Sequence, residues 1–130
     1  MFQIEQIDHV AITVRDLEAS VAWYRDVLGL ERRYQEAWGD YPAMMFAGST
    51  GIAIFPADAG PAPSPDVRRT AVMRHLAFRV DNSNFERARA ELSARGIHYN
   101  FQDHDISHSI YFNDPDGYEL ELTTYDVPKK

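Results

Sequence analysis

Cysteine is absent from this chain, which excludes disulfides, thiolate nucleophiles and zinc–thiolate centres. Any metal must therefore be held by histidine and carboxylate. Long apolar runs are absent too. Nothing approaches the roughly 20 residues that a membrane-spanning helix needs, and no basic segment followed by an apolar one opens the sequence. The expectation is a cytoplasmic protein with no membrane partner. Positive charge is scarce: 13 Lys and Arg against 20 Asp and Glu leave a net charge of −7. Phosphate backbones would be repelled, so a nucleic-acid partner is not expected.

What is present is one domain's worth of chain, 130 residues with 45% hydrophobic side chains, enough to bury a core. "IDHVAITV" (7–14) alternates as a strand, with His9, Ala11 and Thr13 on one face and Val10, Ile12 and Val14 on the other. A helix follows, with Asp16 as N-cap, Leu17, Val21, Tyr24 and Leu28 along its stripe and Gly29 as its stop. Three strands are expected next, in "LERRYQEAW", "PAMMFAG" and "GIAIF". "PADAGPAPSPD" (56–66) carries most of the prolines and cannot lie in a central strand.

Beyond it the pattern returns. "RHLAFRV" places His75, Ala77 and Arg79 on one face of a strand and Leu76, Phe78 and Val80 on the other. "NSNFERARAELSARG" reads as a helix capped in the Asn82–Asn84 region, striped by Phe85, Ala88 and Leu92, and ended by Gly96. "IHYNFQDHD", "SHSIYFND" and "GYELELTTY" give three more strands. The chain thus reads as β-α-β-β-β twice: an α+β domain with module one at 5–56, a linker at 57–70 and module two at 71–125. Such a repeat outweighs local signals. It puts His9 and His75 at equivalent positions, both on the face away from the helix. A lone strand histidine is usually a packing residue; a matched pair is a candidate pair of ligands.

"NDPDGYELEL" supplies a third candidate. Asp114-Pro115-Asp116-Gly117 is a tight-turn signature, and after it Glu119, Glu121 and Thr123 alternate with Tyr118, Leu120 and Leu122. Either glutamate could face the histidines.

"DHVAITVRDLEASVAWYRDVLGL", "HLAFRV" and "DPDGYELEL" together resemble the vicinal oxygen chelate superfamily, which includes glyoxalase I, extradiol ring-cleaving dioxygenases, fosfomycin-resistance transferases, methylmalonyl-CoA epimerase and bleomycin-binding proteins. The resemblance implies two tandem βαβββ modules forming a partly open barrel around one divalent metal ion. It matches His9 and His75 to the family's strand histidines and Glu121, rather than Glu119, to its carboxylate. Two histidines and one carboxylate leave open positions and suit Fe(II), while Mn, Ni, Co or Zn are also accepted by such donors. The partner implied is a small substrate chelated through adjacent oxygens, and the assembly implied is a homodimer.

The resemblance also ranks chemistries. Glyoxalase I takes a further ligand from the last strand of the first module, and residues 41–57 hold no His, Asp or Glu. A fosfomycin-type transferase usually has threonine two residues after the first ligand, where this chain has Ala11. The extradiol signature runs from a histidine through a tyrosine to the ligand glutamate; here it reads His104, Tyr111, Glu121, with Gln102 as the misfit. Tyr111 and His104 are accordingly candidate catalytic residues, and an extradiol-dioxygenase-like enzyme is the leading expectation. A further histidine that those enzymes use is missing from 41–57, and His108 has the wrong parity to replace it. The alternatives are a glyoxalase-like lyase or isomerase, a transferase, or a metal-free bleomycin-type binding protein using aromatics such as Trp23, Trp38 and Tyr41.

Overall fold

Two compact units divide the chain, Met1–Pro65 and Asp66–Lys130, in a computed structural model that describes residues 1–57 and 73–128. The segment read as a linker, 57–70, lies outside the described residues from residue 58 onward. No helix among the described residues is long and apolar enough to cross a membrane.

Unit one contains β1 (His9–Val14), α1 (Leu17–Asp26), β2 (Glu31–Arg33), α2 (Gln35–Trp38), β3 (Ala43–Ala47) and β4 (Thr50–Pro56). Its sheet runs β1-β4-β3-β2, with β1 and β4 parallel and the other pairs antiparallel. The two-residue side-chain period sorts the faces. Ile12, Val14, Ile52 and Ile54 are buried along with Val21 and Tyr24 of α1. Asp16 caps α1 by accepting from the Ala19 amide at 3.0 Å, and Gly29 takes the left-handed conformation (φ 70) that ends it.

One expected strand is cut short. "LERRYQEAW" is extended only over Glu31–Arg33; Tyr34 then adopts φ 67, and Gln35–Trp38 form a turn of helix. The Tyr34 carbonyl accepts from the Ala37 and Trp38 amides, so local backbone bonding replaces the ladder. A left-handed tyrosine is not visible in a hydrophobicity pattern, which is why alternation overran it.

Unit two contains β5 (Leu76–Arg79), α3 (Asn82–Ala94), β6 (Asn100–Asp103), β7 (His108–Asn113) and β8 (Glu119–Thr124). The sheet order β5-β8-β7-β6 repeats that of unit one, with β5 and β8 parallel. Phe85 and Leu92 of α3 are buried, as are Ile110, Phe112, Leu120 and Leu122 of the sheet. His75 stands one residue before β5 rather than inside it. The cap of α3 is Asp81, one residue earlier than the Asn82–Asn84 region; its carboxylate accepts from the Asn84 amide at 2.8 Å. The charged acceptor displaces the neutral asparagines from that role. Each unit is therefore βαβββ, as the repeat predicts, with α2 as an addition in the first.

Two substitutions gauge what holds unit two. Phe85→Ala removes a fully buried ring from the helix–sheet contact and is expected to cost about 3–5 kcal/mol. Asp81→Ala removes only the cap and should cost about 1 kcal/mol. Urea unfolding followed by circular dichroism measures both, and equal losses would contradict this ordering.

Candidate functional site

The clearest cluster lies on the face of the unit-two sheet away from α3. In the register of β7 and β8, Tyr111 pairs with Glu121 and Ser109 with Thr123. The parallel pairing of β5 places Leu76 beside Leu120, which brings the preceding His75 to the start of β8. Its Nε2 lies 2.8 Å from Glu121 Oε1, and its Nδ1 lies 3.4 Å from Glu119 Oε1. The two glutamates are thus distinguished by environment. Glu121 is 8% exposed and receives the Ser109 hydroxyl at 2.6 Å on Oε2, whereas Glu119 stands half out in solvent. A carboxylate among buried leucines is costly unless its oxygens are satisfied, and here each carboxylate oxygen has a partner.

Tyr111 completes this face. Its ring meets the His75 ring edge-on at 5.6 Å, and its hydroxyl lies 3.0 Å from His104 Nε2. Burial pushes the phenol above the ordinary tyrosine range. The negative charges of Glu121 and Glu119 act in the same direction, and the Ser109 hydrogen bond opposes them. Tyr111 is therefore a proton-bearing phenol at neutral pH. Beside it is a polar cavity of about 260 Å³, lined by Arg74, His75, Asn100, Gln102, Tyr111 and Glu119. His108 faces elsewhere, against Phe101 at 5.2 Å and with Nε2 3.6 Å from Asp103.

In unit one, His9 begins β1 opposite Gly51, with Nδ1 2.8 Å from Asp8 Oδ2. It borders an apolar cavity of about 430 Å³ over the face of the sheet away from α1. Among the described residues no three His, Asp or Glu side chains gather into a metal site. The donors present nonetheless fit one in kind. His75 Nε2 and Glu121 Oε1, 2.8 Å apart, are nitrogen and oxygen donors of the kind that would hold a divalent ion. The carboxylates at His75 Nδ1 and His9 Nδ1 are the usual partners of ligating imidazoles.

The sequence pointed to His75, Glu121, Tyr111 and His104, and the structure brings these four together in unit two. It places His9 in the other unit. Ser109 was missed, although its parity with Tyr111 on β7 puts it on the same face. Asn100 and Gln102 carried the same signal of alternation, and Arg74 carried none.

Comparison with known proteins identifies the class. The chain belongs to the Glyoxalase/Bleomycin resistance protein/Dioxygenase superfamily, whose family model matches residues 6–122. Metallothiol transferase FosB of Staphylococcus saprophyticus is 28% identical over 124 residues, covering 93% of this chain and 78% of that protein. The uncharacterized protein YaeR of Escherichia coli K12 is 30% identical over 132 residues, covering 94% and 98%. Among solved structures, a glyoxalase/dioxygenase from Nostoc punctiforme superposes with a TM-score of 0.75 at 24% identity, covering 92% of this chain and 90% of that one, a likeness of fold. The superfamily is the one the sequence motifs resemble. The transferase relative favours the alternative chemistry over the extradiol expectation.

Tyr111 provides a test of this geometry in metal-free protein. Its folded-state value lies above the unfolded one, so its contribution to stability is intact below pH about 10 and is lost as pH rises through the folded value. Tyr111→Phe should therefore lose less stability than the parent on passing into strongly alkaline solution. Parallel urea-unfolding series over that range check this, and equal losses would contradict a phenol held above its ordinary range by burial and by the two glutamates.

Proposed function

We propose that this protein is a metal-dependent enzyme that acts on a small substrate held through adjacent oxygens, by group transfer or by a lyase or isomerase reaction, with His9, His75 and Glu121 as metal ligands. The observation that carries the reading is the His75–Glu121 contact, in which a buried carboxylate is aimed at an imidazole nitrogen. The similarity to a metallothiol transferase supports it. Ring cleavage loses its standing, and with it the preference for Fe(II); Mn, Ni, Co and Zn suit the same donors.

A bound divalent ion supplies a Lewis acid with open positions that polarise substrate oxygens. The protein's own groups do the rest. Glu119 and Asp8 hold the Nδ1 atoms of His75 and His9, leaving each Nε2 to face a ligand. Ser109 fixes the rotamer of Glu121. Tyr111 donates its phenolic proton toward charge developing on a substrate oxygen, and His104 Nε2 accepts or returns a proton at the same hydroxyl. Asn100 and Gln102 orient polar substituents in the adjoining cavity. The proposed assembly is a homodimer.

Elemental analysis of purified protein tests the ligand set. The expected result is about one divalent ion per chain, with a thermal-unfolding midpoint that falls on chelation and recovers on reloading. His9→Ala, His75→Ala and Glu121→Gln should each abolish the shift, and Ser109→Ala should weaken metal binding about 10–100-fold. Mixing His9→Ala with His75→Ala protein restores a fraction of sites only if ligands come from two copies. Protein that binds no divalent ion in any of these assays sinks the proposal.

A further inference from the structure

The apolar cavity of unit one holds none of the proposed ligands except His9 at its rim, yet its construction is specific. Met44, Phe46 and Ala53, all buried, form its floor, and Phe55 packs against them. Tyr34 and Trp38 stand over this floor, each half exposed, with ring centroids 5.2 Å apart. Tyr34 also meets Phe46 edge-to-face at 5.7 Å and 86°. Two large aromatics left in solvent, Trp38 on a four-residue helix and Tyr34 at its N-cap with φ 67, are not explained by core packing.

The floor depends on a missing side chain. A Cβ at Gly51 would stand 3.2 Å from the Met45 carbonyl and 3.3 Å from the Phe46 ring, so glycine lets that ring lie flat beside β4. Polar groups are few. Asp8 and His9 occupy the rim, and the described lining contains no cation. Arg33 lies over the Phe46 ring at 4.6 Å, but it donates to the Gly48 carbonyl at 2.8 Å and to Glu31 at 3.2 Å. A phosphonate or other compact anion would find no Lys or Arg among the described lining residues and would meet the Asp8 carboxylate at the rim.

We propose that the unit-one cavity is a binding site for a neutral aromatic ring, with Tyr34 and Trp38 enclosing it against Phe46 and with His9 at its polar end. A volume of about 430 Å³ admits a one- or two-ring compound, and stacked or edge-on rings are the contacts this lining provides. The reading deepens the proposed function and rests on it in one respect: if His9 ligates the ion, the ring is the body of a substrate whose oxygens reach that ion. The substrate class is then aryl-bearing, unlike a small phosphonate.

Calorimetric titration of the chelator-treated full chain with 2-naphthol, and separately with methylphosphonate, tests the site without any metal. Saturable 2-naphthol binding is expected, with none for methylphosphonate. Trp38→Ala should weaken 2-naphthol about tenfold by removing one ring. Ala53→Val, which narrows the floor, should weaken it comparably, while Trp23→Phe on α1 should leave it unchanged. Binding of methylphosphonate in place of 2-naphthol overturns the proposal, as does 2-naphthol affinity indifferent to both cavity variants. Ring binding in protein that never takes up a divalent ion supports the cavity assignment while removing the enzymatic reading, so the two fail separately.

Discussion

Glu121 is a carboxylate in a strand whose neighbours Leu120 and Leu122 are core residues, and much of unit two follows from keeping it there. An ionised carboxylate taken out of water needs donors on each of its oxygens. The fold meets that need from both adjacent strands. β7 delivers Ser109 to one oxygen, and the residue before β5 delivers His75 to the other. These contacts require the mixed sheet order, since only a central β8 has β5 on one side and β7 on the other. Topology and chemistry are the same constraint at this point.

The two units apply one plan to different ends. In each, the face toward the helix is aliphatic and the face away from it carries the residues of interest. Unit two fills that face with a histidine, two glutamates, a tyrosine and amides, and the cavity there is polar. Unit one fills it with rings, a methionine and alanine, leaving His9 and Asp8 at the margin. One repeated scaffold thereby presents polar atoms in one unit and apolar surface in the other. Function lives in what the faces carry rather than in the fold they share.

Much of this was legible because it depends on periodicity. The period-two alternation around His9, His75 and Glu121 and the capping aspartate and stop glycine of α1 all act locally, and local rules read them correctly. The preference for Glu121 over Glu119 came from family spacing; alternation alone placed both on one face. Contacts that depend on register were less visible. Ser109 meets Glu121 only because β7 and β8 pair as they do, and no local signal states that pairing. Tyr34 is the sharpest failure. Its left-handed backbone turned a predicted strand into the short helix that carries Trp38, so an entire wall of the apolar cavity was hidden inside an alternating pattern.

The parallel pairing of first and last strands has a consequence in time. His75 precedes β5 and Glu121 lies on β8, so their contact closes only after the helix and both intervening strands have been made. The loop that must close is nearly the whole unit, and such long-range closures come late in folding. A ribosome-bound chain lacking β8 could form α3 and pair β6 with β7, yet it would hold a histidine with no carboxylate to meet. The pairing of His75 with Glu121 therefore belongs among the last contacts that the topology of unit two lets form.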